Sequence, residues 1–195
     1  MRARMPALSR LETLSLVVAA ALALPACEPL DPGTRSNETG PPPAGFATDM
    51  VAEHNAVRAG AEPAPVPPLP DLGWSPGVAS TAQAWANGCS YRHNPDLGSL
   101  GLGENIAATA PPGAYGTAQV VGLWAGEAAD YDHATNTCDP GAVCGHYTQI
   151  VWRDTTAVGC AMRTCATGSP FGSGSWDFWV CDYAPPGNWV GERPY

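Results

Sequence analysis

Lysine is absent from this chain of 195 residues, and nine arginines stand against 18 acidic residues, for a formal net charge of -9. A surface of that sign repels phosphate backbones and anionic headgroups, which argues against nucleic acid as a partner and against membrane attachment through charge. Long apolar runs are missing too. The N-terminal stretch Thr13 to Leu24 has twelve residues, whereas a helix that crosses a bilayer needs about 20. There is no Cys-x2-Cys pair and no His-Glu-x-x-His, so the compact metal motifs are not available. Gly172-Ser173-Gly174-Ser175 places serine and glycine out of phase for a Gly-x-Ser-x-Gly nucleophile elbow, and reads as a loop between strands. No tandem repeat is apparent, and the length suits one domain.

What is present begins with an export signal over residues 1–26. Arg2, Arg4 and Arg10 form a positive start ahead of the apolar run. Leu24-Pro25-Ala26-Cys27 then resembles a bacterial lipobox, in which Cys27 becomes a lipidated N-terminus; the competing reading is ordinary cleavage after Ala21-Leu22-Ala23, with Cys27 a spare thiol. Of seven cysteines, setting Cys27 aside leaves an even set of six, the number an exported disulfide frame wants. Removing residues 1–26 takes away three arginines and one glutamate and lowers the formal charge to -11. Residues 27–45 are rich in proline, glycine and small polar residues and read as a tether. With a lipid on Cys27, the membrane is reached only through that anchor.

The folded domain is expected over 46–195. Phe46, Met50, Val51, His54 and Val57 recur at helical spacing and predict a helix over 46–59 that ends near Gly60. The prolines from Pro63 to Pro70 force an extended link. Ser75 as N-cap and Pro76 at the first position open a second helix, with Val78, Ala79, Ala82, Trp85, Ala86 and Cys89 on one face. A third is predicted from Thr117 to Glu127. Tyr147 to Trp152, Thr156 to Met162 and Ser175 to Asp182, rich in β-branched and aromatic residues, predict strands of one antiparallel sheet. Helices followed by strands imply an α+β domain.

Cysteine spacing alone leaves fifteen pairings of Cys89, Cys138, Cys144, Cys160, Cys165 and Cys181 open. The four histidines, taken singly, default to structural roles. His54 lies on the apolar stripe of the first helix and is expected to be a buried hydrogen-bonding residue. His133 lies in a polar loop and is expected to face solvent. Most of the seven tryptophans are expected in the core.

Three segments carry more than local pattern. Gly103-Glu104-Asn105-Ile106, Gly145-His146-Tyr147-Thr148-Gln149-Ile150-Val151-Trp152, and Cys181-Asp182-Tyr183-Ala184-Pro185-Pro186-Gly187-Asn188-Trp189 occur in that order. Together they resemble the CAP superfamily of cysteine-rich secretory proteins, antigen 5 and plant pathogenesis-related class-one proteins, from about Phe46 to Tyr195. His54, Asn55 and Arg58 also resemble that family's first-helix signature. The resemblance implies an α-β-α sandwich and disulfides Cys89 to Cys165, Cys138 to Cys144 and Cys160 to Cys181. It further implies a cleft lined by His93, Glu104, Glu127 and His146, able to take zinc or another divalent metal on His93 and His146. Two functions follow as expectations. One is an exported binding module for a lipid, sterol or envelope protein. The other is a metal-assisted hydrolase or peptidase in which Glu104 or Glu127 activates water.

Overall fold

The structure is a computed structural model that describes residues 44–195. The export signal, Cys27 and all but the last two residues of the expected tether lie outside the described residues.

Helix α1, Phe46–Ala59, buries one residue per turn: Phe46, Met50, His54 and Arg58. The Arg58 guanidinium ties three chain segments together by donating to the carbonyls of Pro70, Ile150 and Trp152. The proline-rich link then runs extended into β1, Gly73–Trp74, and directly into α2, Pro76–Ala86. As the sequence predicts, the Ser75 hydroxyl accepts from the Val78 N–H and Pro76 occupies the first turn. A short α3, Leu97–Leu100, leads to β2, Gly103–Thr109. Helix α4, Thr117–Ala125, passes into a 3-10 turn, Gly126–Asp130, so Glu127 lies just beyond the α-helix rather than at its end.

A small two-stranded ribbon follows, β3 at Tyr131–Asp132 and β4 at Thr137–Cys138. The next element corrects the sequence reading. Tyr147 to Trp152 is not a strand: Gly145–Ile150 forms helix α5. The β-branched and aromatic residues that suggest a strand are overridden at the helix start, where Glu127 Oε2 accepts the N–H groups of His146 and Tyr147. Those are donors that a first helical turn leaves unpaired. The long strands β5, Ala157–Cys165, and β6, Trp176–Ala184, complete the chain's sheet.

Sheet order is β1-β5-β6-β2. β6 pairs antiparallel with β5 and β2, but β1 pairs parallel with β5, so the sheet is mixed rather than wholly antiparallel. The cause is local: the extended link lays Gly73 and Trp74 along the outer edge of β5, and the bonds Gly73 N–H to Thr156 O and Ser75 N–H to Val158 O hold them there. Side chains alternate between the two faces of the sheet. One face, with Ala161, Trp176, Phe178 and Val180, packs on Ala82 and Ala86 of α2. The other, with Val158, Cys160, Trp179, Cys181 and Tyr183, packs on α1, α4 and α5. This is an α-β-α sandwich.

Gly159 faces α2, and a Cβ there would run into the Ala79 backbone, so its missing side chain sets how closely the helix seats. All three bridges implied by the resemblance are formed. Cys89–Cys165 ties the chain after α2 to the end of β5, Cys160–Cys181 joins the central strands, and Cys138–Cys144 closes the loop before His146.

Candidate functional site

Of the four residues expected to line a cleft, His93 pairs with Glu104 and His146 with Glu127. In the loop after α2, His93 Nδ1–H donates to Glu104 Oε1 at 2.8 Å, and the Asn94 N–H donates to the same oxygen at 3.0 Å. The Glu104 side chain on β2 is fully buried, while that of His93 is 57% exposed, so a buried carboxylate anchors a ring that reaches solvent. In the second pair, His146 Nδ1–H donates to Glu127 Oε1 at 2.5 Å, and the other Glu127 oxygen caps α5 as described. The His146 ring also stacks on Trp124 of α4, with centroids 6.2 Å apart.

Because each Nδ1 is occupied by its own carboxylate, each Nε2 is the nitrogen left to bind a metal. A carboxylate behind a ligating histidine fixes its tautomer and orientation. Each ring therefore presents Nε2, a nitrogen of the kind that divalent ions take. Catalytic zinc sites usually bring three protein ligands.

Among the described residues, the one group of three potential ligands within 4.8 Å of one another is His54, Cys160 and Cys181. The two sulfurs are bonded to each other, which closes that group to metal.

Asn105, beside Glu104 on β2, links the second pair to the core. Its Nδ2 donates to His146 O and to the Tyr183 hydroxyl, each at 3.0 Å. His54 continues the chain of bonds: Nδ1–H must donate to the Met50 carbonyl, so Nε2 accepts the Tyr183 O–H. Burial pushes the His54 pKa down to about 4, which keeps the ring neutral and suits that acceptor role. His54 is thus the buried hydrogen-bonding residue that the helical stripe predicts. His133 is not the free loop residue expected: it is half-buried, stacks on Tyr195 at 4.4 Å and donates from Nε2 to Tyr195 O. The polar surroundings of His133 in sequence hide a ring partner 62 residues away.

In the sequence, Arg58 and Asn105 stand out only as parts of family-like motifs, and Asp182 only as part of the third segment. Their partners lie on other elements, so no local pattern could assign them a role. Two surface hollows open beside α5. One, of about 350 Å³, is bordered by Gly145, Thr148, Asn188 and the exposed Trp189. The other, of about 470 Å³, is bordered by Val57, Ala125, Ala128, Ala129 and Tyr147.

Comparison with known proteins identifies the family and the fold. The family model described as CAP, the cysteine-rich secretory protein family, matches residues 51–183. Pathogenesis-related leaf protein 4 of Solanum lycopersicum is 41% identical over 147 residues, which span 75% of this chain and 82% of that protein. Glioma pathogenesis-related protein 1 of Mus musculus is 35% identical over 150 residues, spanning 74% of this chain and 54% of that protein. Among solved structures, NaASP2 crystallised with Zn2+ superposes with a TM-score of 0.60 at 24% identity, covering 80% of this chain and 90% of that one. Venom allergen-like protein 4 of Schistosoma mansoni gives a TM-score of 0.59 at 25% identity, covering 77% and 93%.

Proposed function

This chain belongs to the CAP, or cysteine-rich secretory protein, family, and from that premise we propose that it is an exported binding module whose two His–Glu pairs take a divalent metal and whose cleft serves recognition rather than turnover. The observation that carries the reading is the engagement of both carboxylates. Glu104 Oε1 and both oxygens of Glu127 already accept from a histidine or a backbone N–H, and Glu104 Oε2 is buried away from solvent. A general base must reach the water it deprotonates; Glu104 has no solvent-facing oxygen, and Glu127 keeps a single lone pair, on Oε1 beside His146. The hydrolase reading would have to rest on that one site or on a carboxylate leaving its histidine.

His93 and His146 would hold the ion, and Glu104 and Glu127 would orient them. A bound divalent ion supplies a Lewis-acidic anchor for a ligand oxygen. Zinc suits two imidazoles, and a protein of the same fold has been crystallised with it. The apolar wall of the hollow at Val57, Ala125 and Ala129 supports a lipid or sterol as the ligand class, with an envelope protein as the alternative partner.

Calorimetric titration with zinc tests the metal site. The wild-type protein is expected to bind one ion, and His93→Ala with His146→Ala to lose that binding. Equal affinity in the two proteins would overturn the assignment. Incubation of the zinc-loaded protein with envelope lipids and a peptide library is expected to give retained ligand without product. Product formation that is lost in Glu104→Gln would restore the hydrolase reading.

A further inference from the structure

Glu104 and Asp182 stand directly opposite each other in the β2–β6 register, and Gly159 of β5 completes the row. Side chains directly across an antiparallel pair approach to about 4.5–5.5 Å at Cβ, so the two carboxyl groups are neighbours on one face of the sheet. Neither the Glu104 side chain nor Asp182 has exposed surface. Glu104 Oε1 is satisfied by His93 and Asn94, but Oε2 has no protein partner, and neither has either oxygen of Asp182.

Three buried acceptor oxygens without a donor are costly, and two like charges at one site are more so. No hydrogen bond and no cationic side chain relieves them, and the first turn of α2 over Gly159 offers only its dipole. Gly159 has no side chain, α2 above it carries no charged residue, and the remaining titratable neighbour, His93, is spent on Oε1. A single proton on one carboxyl removes one of the two charges and turns two acceptors into a donor–acceptor pair.

We propose that Asp182 is a carboxylic acid in the folded protein and donates its O–H to Glu104 Oε2, which makes it a positioning residue for the His93–Glu104 pair. Glu104 then accepts on both oxygens, Oε1 taking two N–H bonds and Oε2 one O–H bond. With every donor in place the carboxylate cannot swing, and His93 is held as the Nδ1–H tautomer with Nε2 outward. Burial, reinforced by the charge on Glu104, raises the Asp182 pKa to about 8, in keeping with a protonated side chain at neutral pH. Asparagine can take over the donor role through Nδ2–H, whereas a hydrocarbon side chain cannot.

The inference depends on the metal-site reading only for its effect on zinc, so the test has an arm that needs no metal. Infrared spectra of the metal-free wild type at pH 6.5 are expected to show the C=O stretch of a protonated carboxyl, and Asp182→Asn is expected to lack it. Absence of the band in the wild type, or its persistence in Asp182→Asn, would overturn the proposal whatever zinc does. For the positioning role, 15N spectra of His93 should report the Nδ1–H tautomer in the wild type and in Asp182→Asn, and a mixture in Asp182→Leu. Zinc affinity should be retained within about twofold in Asp182→Asn and fall roughly tenfold or more in Asp182→Leu, the scale of lost outer-shell partners. If Asp182→Leu does not fold, the asparagine variant decides: a mixed His93 tautomer in it overturns the positioning role.

Discussion

At the scale of single residues, two buried groups respond to protons with opposite sign. His54 falls from 6.5 to about 4 on burial, so between those values the unfolded chain binds the extra proton. The stability it confers is therefore complete above about pH 6.5 and is lost as the pH falls toward 4. Asp182 rises from 3.8 to about 8, so there the folded chain binds the extra proton. Its contribution is fully present below about pH 4 and is lost as the pH rises toward 8. From pH 4 to 6.5 the two slopes oppose each other; from 6.5 to 8 Asp182 acts alone and stability declines. Urea unfolding of the wild type across this range is expected to show that decline, and Asp182→Asn to abolish it while exposing the rise due to His54 below 6.5. A wild type whose unfolding midpoint climbs between pH 6.5 and 8 would contradict this account.

At the scale of elements, the seating of α2 on the sheet depends on one missing side chain. Gly159→Ala places a Cβ against the Ala79 backbone, and because backbone cannot rotate away, α2 must shift outward. Overpacking of this kind costs about 1–3 kcal/mol. Gly122 in α4 meets nothing within 4 Å, so Gly122→Ala should instead gain about 0.5–1 kcal/mol from helix propensity. Thermal melts of the two variants should move in opposite directions, and a Gly159→Ala midpoint at or above wild type would refute the close approach.

The same elements show which signals the sequence carries openly. α1 and α2 are legible because period and caps agree: Met50 and His54 repeat by turns, and Ser75-Pro76 marks a start. β2 is not, since Gly103-Glu104-Asn105 and two alanines lack strand formers and the segment is a strand through its pairing with β6. α5 misleads because its helical start is supplied by Glu127 from another element. The site follows the same division: the two His–Glu pairs are readable from motif resemblance, whereas Asp182, Asn105 and Arg58 acquire their roles from partners across the fold.

At the scale of the whole molecule, the three bridges occupy all six domain cysteines, so no domain partner is left for Cys27. A lipid on that thiol would attach the acidic domain to a membrane without help from surface charge, because two acyl chains suffice for stable attachment. Cell fractionation is expected to find the wild type with membranes, and Cys27→Ser released or unprocessed with its three bridges intact. A wild type that is wholly soluble with an unmodified Cys27 would decide for ordinary signal cleavage. The sheet order also has a consequence in time. Both central strands, β5 and β6, are synthesised after the edge strands β1 and β2, so neither edge has a neighbour to pair with until residues 157–184 have been made. The chain thus stays without its sheet for most of its synthesis. An exporting cell can thread such a chain through a narrow membrane pore before it folds, and leave closure of the sheet and its bridges to the oxidising side.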